Sequence, residues 1–543
     1  MSLAHRFHDA MPHENALYFV ALLQNSWLIA DPSVPMDSGR SPSPPSRRER
    51  LFSLLKLALA AAGASAVILA VATTRADVDL WGHVRFGMDI LDAGRIKQVD
   101  PYSFTSRVPW INHEWLTEVI FAIAWRIAGS AGLIGVKLAC AIGVLSFVAL
   151  TLRARGITGH TLAMLLGVTL AGTLPRITHV RPQLFSTLLF AALIAILSRA
   201  ERGRRAGLIW TVPLLALWAN LHGGWIVGLA TVGVWTLGDA WEKRASGWRA
   251  LAVVGYPAAA AAATLLNPYG VGLWTFLLET VRFGREAITE WGPAWSDPLL
   301  LLLWGVFSGL TISAVKHGPR PRNPAGIIIP AMWGLAALRV GRLDAFFALS
   351  VIGFLGPNLV WLVDSRQRRR GVPAPLALRA AAIGIAAILL VAFPAARRTF
   401  TCLDVYAPWW PEPEAIAFAH QEKLSGRVVT FFRWGEYAIW HLPPSLKVSM
   451  DGRRETVYSD ATIDGHLLLY GGQQEGLAYL DSLESDYVWL PRLLPVSGAL
   501  QSRGWVPIFQ GPRSLLLARS DLAPGLSARA VVHESASRCF PGP

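Results

Sequence analysis

About eleven apolar stretches divide residues 51–394, each close to the roughly 20 residues that a helix needs to cross a bilayer. Nothing else in the chain limits its fold so strongly. A segment in hydrocarbon must satisfy its own backbone polar groups, and a helix does so. Apolar residues make up 53% of the chain and charged residues 16%, and mean hydropathy is +0.40. The expected fold is an α-helical multi-pass membrane protein with about eleven transmembrane helices.

The placement of positive charge sets a topology, since Lys and Arg are retained in the cytoplasm. Arg47, Arg48 and Arg50 precede the first span, 51–73, and place the N-terminus inside. The next span, 132–152, returns to Arg153 and Arg155. Four pairs follow: 160–175 with 183–198, 206–220 with 224–240, 250–266 with 298–315, and 324–338 with 344–363. They end inside at Arg199 to Arg205, Lys243 to Arg249, Lys316 to Arg322, and Arg366 to Arg370. A last span, 375–394, exits outside. The net charge of +14 thus sits largely in short inner loops facing anionic headgroups. Membrane lipid is the expected partner, and nucleic acid is not.

The flanks differ from this core. Residues 37–50, DSGRSPSPPSRRER, read as a disordered basic segment, so 1–50 is set apart and the true start is placed near Met36. Residues 51–394 form the membrane domain, with a polar first outer loop at 74–114 and an amphipathic helix at 115–130. Residues 395–543 are a tail of about 150 residues, enough for one domain. Helix-like stretches at 412–424 and 472–484 alternate with strand-like runs at 427–432, 447–450 and 487–490. Runs at 505–510 and 514–518 suggest a closing hairpin, so an extracytoplasmic α/β domain is expected. The three cysteines, Cys140, Cys402 and Cys539, exclude a cysteine-based zinc site or a disulfide scaffold. Cys402 and Cys539 both fall outside, where a disulfide between them is permitted but not determined.

Most of the chemistry-bearing residues gather on the outer side. Asp77 and Asp79 directly follow the first span. A carboxylate there can act as general base toward a sugar hydroxyl or hold a divalent cation, and the plainer reading is a solvated helix end. The first loop adds His83, His113 and Glu114. Later outer ends add Arg181, His222, Arg339 and Arg342. Arginines at membrane level suit a phosphate through forked hydrogen bonds, against the plainer reading of snorkelling to headgroups. For the histidines the plainer reading is a packed, hydrogen-bonded ring. No two share a ligand spacing on one helix, so a metal ligand set stays unknown, a divalent cation is optional, and no cofactor is required.

The loop sequences Asp77-Val78-Asp79-Leu80-Trp81-Gly82-His83, Asp100-Pro101-Tyr102-Ser103-Phe104 and His113-Glu114-Trp115-Leu116 resemble a bacterial subgroup related to the GT-C glycosyltransferases. Arg181-Pro182-Gln183, Asn220-Leu221-His222-Gly223-Gly224 and Asn267-Pro268-Tyr269-Gly270 follow in the same order, with Trp434-Gly435-Glu436-Tyr437 and Asp451-Gly452-Arg453 in the tail. The resemblance spans about residues 52–518. It implies a GT-C-like membrane domain in a bacterial inner membrane, with the N-terminus cytoplasmic and the tail periplasmic. It also implies a polyprenyl-phosphate-sugar donor, an acceptor that is a glycan, lipid or protein, and catalysis by Asp77 or Asp79. His83, His113, Glu114, Arg181, His222, Arg339 and Arg342 would then bind substrate. The competing reading is a non-enzymatic protein: a lipid-linked-saccharide transporter, or an envelope assembly scaffold that includes an inactive GT-C relative. A transporter would place ionisable residues near midplane, whereas these crowd one face.

Overall fold

The computed structural model describes residues 71–72, 75–106, 109–243, 248–282, 291–321, 323–367, 396–405, 410–526, 529–530 and 539–542. The expectations for residues 1–50 and 375–394, and for 51–73 apart from Val71 and Ala72, lie outside these residues. Each expected span between 132 and 363 falls on a helix. They are α2 (Trp115–Arg153), α3 (Gly159–Ile177), α4 (Gln183–Glu201), α5 (Thr211–Leu221), α6 (Trp225–Glu242), α7 (Trp248–Ala263), α9 (Pro298–His317), α10 (Ala325–Arg339) and α11 (Asp344–Gln367). The loops expected to lie outside add α1 (Leu80–Ala93) and α8 (Gly272–Arg282), which the hydropathy pattern did not anticipate.

By length and composition, α2, α4, α9 and the stretch Gly341–Trp361 can each cross a membrane. The apolar segments Thr161–Ile177, Arg205–Leu221 and Ala325–Arg339 are shorter. The chain is therefore a mostly helical membrane protein. Its helices occupy different depths: 83% of the apolar window in Gly341–Trp361 is buried but only 11% of that in α9. Leu299, Leu301 and Leu302 of α9 are exposed, and a leucine-rich face of that kind needs lipid around it. Asp297 starts α9 by accepting from the Leu299 and Leu300 amides at 2.8 and 3.2 Å, with Pro298 at the first helical position.

The amphipathic stretch and the second span are one helix, α2, interrupted at Ala128 and Gly129. Gly129 has φ +56°, a left-handed conformation that glycine adopts at no steric cost. The break lets the first part of α2 follow α1 while the rest packs on α4.

The tail folds around a six-stranded mixed sheet in the order β2-β1-β3-β5-β4-β6. The strands are β1 (Gly426–Thr430), β2 (Leu446–Val448), β3 (Tyr487–Pro491), β4 (Val506–Gln510), β5 (Ser514–Ala518) and β6 (Arg529–Ala530). β1 pairs in parallel with β2 and β3, and β4–β5 is the expected antiparallel hairpin. The flanking helices include α13 (Pro413–Gln421), α14 (Gly435–His441), α15 (Asp460–Tyr470) and α16 (Gln474–Ser482), after a short α12 (Ala396–Thr401).

The loop at 74–114 adds a bridge to the edge of this sheet. The Phe104 amide donates to the Val448 carbonyl, and the Val448 amide to the Tyr102 carbonyl, both at 3.1 Å. The exposed edge of β2 is thereby covered by residues from the other end of the chain. Cys402 and Cys539 are joined by a disulfide, with Cα atoms 5.0 Å apart. The bridge holds Phe540 among Trp81, Trp125 and Trp440, with ring centroids 5.0–5.7 Å apart. The described residues from 71 onward cluster as one unit, so the tail and the helices are parts of one body.

Candidate active site beneath the tail

Asp77 and Asp79 sit at the entry to α1, and both are partly buried. Asp77 Oδ1 accepts from the Asp79 amide at 3.1 Å, and its Oδ2 pairs with the Arg181 guanidinium at 2.5 Å. Asp79 is the residue before α1 but does not cap it with its side chain. The two carboxyls therefore separate electrostatically. Burial would raise Asp77, but Arg181, the Asp79 amide and His179 together outweigh burial and hold it below its usual value. Asp79 is pushed up to about 7 by burial and by the charge of Asp77, against the opposing pull of Arg181, His83 and Arg342.

The tail reaches the same place. The Gly82 amide donates to Glu436 Oε2 at 3.1 Å. A Cβ on Gly82 would lie 2.2 Å from that oxygen, so only glycine admits Glu436 here. Gly452 makes the same allowance on the other side. A Cβ there would lie 2.4 Å from Asp79 Oδ1 and 2.9 Å from Glu436 Oε1. Next to it, Arg453 joins the tail to the first loop. It donates to both oxygens of Asp100 at 2.9 and 3.0 Å and to both oxygens of Asp451 at 2.8 and 2.6 Å. Its guanidinium carbon lies 4.8 Å from the ring centroid of Phe86 and 4.7 Å from that of Trp110. Tyr458 donates a further bond to Asp451 at 2.6 Å.

Beside Asp79 lies a cluster of imidazoles and carboxylates. Glu114 is 3.5 Å from His222, 3.6 Å from His113 and 3.9 Å from His83. His83 Nδ1 is also 3.6 Å from Glu118, longer than a hydrogen bond, so the two attract mainly as charges. Burial opposes the charge on His83, but Glu118 and Glu114 outweigh it and raise His83 to about 9. Burial, the larger effect, lowers His222 to about 3 and keeps it neutral. Glu114 lies below its usual value, because the surrounding imidazoles outweigh its burial. Ser186 accepts from Trp218 Nε1 at 2.7 Å and lies 2.7 Å from His222 Nδ1, which orients that ring. Tyr269 accepts from the Asn112 amide at 2.9 Å, and Trp115 donates to Asn220 at 3.0 Å, so the outer-end motifs are tied to one another.

The arginines divide. Arg342 stacks over Trp291 at 5.3 Å, and the Gln183 side-chain amide lies against its guanidinium. Arg181-Pro182-Gln183 thus holds both Asp77 and Arg342. Arg339 is exposed in the last turn of α10. Arg176, which carried no assigned role in the sequence, bonds Asp344 at 2.7 Å and the Gly341 carbonyl at 3.1 Å. Asp77, Asp79, His83, His113, Glu114, Arg181, His222 and Arg342 therefore share one region. Sequence reasoning gave no role to Glu118, Asp100, Glu436, Arg453 or Ser186. The available signal was the pair of tail motifs holding Glu436 and Arg453. Among the described residues, no three His, Cys, Asp or Glu side chains form a ready cation cage.

No family model matches this sequence, and no curated protein is similar to it in sequence. Solved structures do match. The oligosaccharyltransferase AglB from Archaeoglobus fulgidus, in complex with an inhibitory peptide and a dolichol-phosphate, matches with TM-score 0.54 and 11% identity, over 82% of this chain and 70% of that one. ArnT from Cupriavidus metallidurans in the apo state matches with TM-score 0.52 and 14% identity, over 87% of this chain and 99% of that one. ArnT bound to undecaprenyl phosphate matches with TM-score 0.50 and 12% identity, over 88% and 99%. At such identities the likeness is one of fold. The chain has the GT-C-like fold of these membrane glycosyltransferases.

Proposed function

We propose that this protein transfers a sugar from a polyprenyl-phosphate donor to an acceptor on the outer side of a bacterial inner membrane, with Asp79 as general base. The observation that carries the reading is the split between neighbouring carboxyls. Asp77 is neutralised by Arg181, while Asp79 is left partly open with a proton affinity matched to neutral pH. Asp79 takes the proton of the acceptor hydroxyl as its oxygen bonds the anomeric carbon, and the bond from that carbon to the lipid phosphate breaks with inversion. In this reading Arg342 and Arg181 stabilise the departing phosphate. The complexes of AglB with dolichol-phosphate and of ArnT with undecaprenyl phosphate support a lipid phosphate as the donor class. The test is transfer of labelled sugar from synthetic polyprenyl-phosphate sugars by the purified protein in proteoliposomes. Absence of transfer across a panel of donors would favour the non-enzymatic reading.

Donor binding gives a substrate-free check. Arg181→Lys is expected to weaken undecaprenyl-phosphate binding, because the fork is lost while the charge stays. Arg368→Lys, in an inner loop by the charge pattern, should bind as wild type does. Equal binding by both variants would remove Arg181 from the site.

The orientation is also part of the proposal. A disulfide between Cys402 and Cys539 persists in an oxidising compartment, which favours the tail outside. Reporter fusions after Arg205 and Arg370 should read cytoplasmic, and one after Arg398 periplasmic. A cytoplasmic signal from the last would overturn the assignment of the whole outer face.

A further inference from the structure

Glu436 is 3% exposed and belongs to the tail, yet its two oxygens face the first outer loop. Oε2 takes the Gly82 amide, and Oε1 borders the same small space as Asp79 Oδ1, the space that Gly452 leaves open by having no side chain. The charges around the pair are unfavourable to a second anion. Asp79 is faced by Asp77, Arg181, His83 and Arg342, and Glu436 by Asp79, Asp451, Glu118 and Arg453. Arg181 is engaged with Asp77, and Arg453 with Asp100 and Asp451. Arg453, the cation that acts on Glu436, therefore already has two carboxylates of its own. Two buried carboxyls bordering one volume do not both ionise readily.

We infer that Glu436 is the positioning residue for Asp79, neutral in the folded protein and sharing its proton with the Asp79 carboxylate across the gap at Gly452. Burial first, and then the charges of Asp79 and Asp451, act in the same direction on Glu436. The tail then does more than border the site. It supplies the donor that fixes the rotamer of the base and, by stabilising its ionised form, limits how tightly that base holds a proton. The bearing on turnover rests on the transferase reading, but the protonation state does not.

The test needs no substrate. A carboxyl that keeps its proton on folding gives stability that is complete below its ordinary value, near 4.5, and is lost as pH rises. Within that range one retained proton changes the folding constant about tenfold per pH unit. Thermal unfolding of the full-length protein in detergent is followed from pH 5 to 8 for wild type and Glu436→Gln. The wild-type midpoint should fall more steeply with pH, by one proton's worth of slope. The Gln variant, a neutral isostere, should melt at or above wild type at pH 8. Parallel slopes would overturn the inference. So would a Gln variant that melts lower at pH 8 or fails to accumulate folded, since a neutral isostere is harmful only where an anion was needed. Retained slopes without sugar transfer would sink the transferase reading and leave this one standing.

Discussion

Asp79→Asn is expected to lower sugar transfer by about 10²–10⁴-fold, the usual cost of losing a general base. The variant keeps the shape and the hydrogen-bonding reach of the side chain but cannot accept the proton. Asp77→Asn should act differently. Asp77 is tied to Arg181 and held ionised, so its loss should free that guanidinium and show mainly as altered donor affinity. Initial rates at saturating donor separate the two. Wild-type turnover by Asp79→Asn, with the true donor, would rule out Asp79 as the base.

Arg453→Met is expected to cost about 3–5 kcal/mol of stability, the usual penalty for removing one partner of a buried ionic network. The Asp100 and Asp451 side chains are fully buried and the guanidinium is 6% exposed, so neither carboxylate has water to fall back on. Denaturation in detergent should show a large loss relative to Arg427→Met, whose guanidinium is 49% exposed and lies 3.9 Å from an exposed Glu484. Similar stability for the two variants would mean that the Arg453 network does not fasten the first loop to the tail.

The sequence displayed the helices between 132 and 363 because hydropathy over a membrane's thickness is a local property. It did not display α1. The run Leu80–Ala93 mixes glycine and charge, and its burial comes from α2 and from α14 in the tail, which no local pattern contains. The union of the first loop with the sheet was hidden for a related reason. Ser103 and Ser449 are 346 positions apart, and strand pairing at that range leaves no periodic trace. Residue type and location were enough to single out Asp77, Asp79 and the three histidines. They were not enough to separate Arg342, stacked on Trp291, from Arg339, which is exposed at its helix end. Glu436 and Arg453 stood in quoted motifs without roles, because their partners Asp79 and Asp100 belong to the opposite end of the chain.

The bridge from residues 102–104 to β2 also imposes a schedule on biosynthesis. Strand β2 is made roughly 350 residues later, about 17–70 seconds at common elongation rates. During that interval every span between them must be threaded, and the first loop must wait on its side of the bilayer without the edge it will complete. A truncated or stalled product therefore holds Asp77 and Asp79 but lacks Glu436, Gly452 and Arg453 around them. The candidate site is thus assembled only after residue 453 has been made, however early its first two carboxylates emerge.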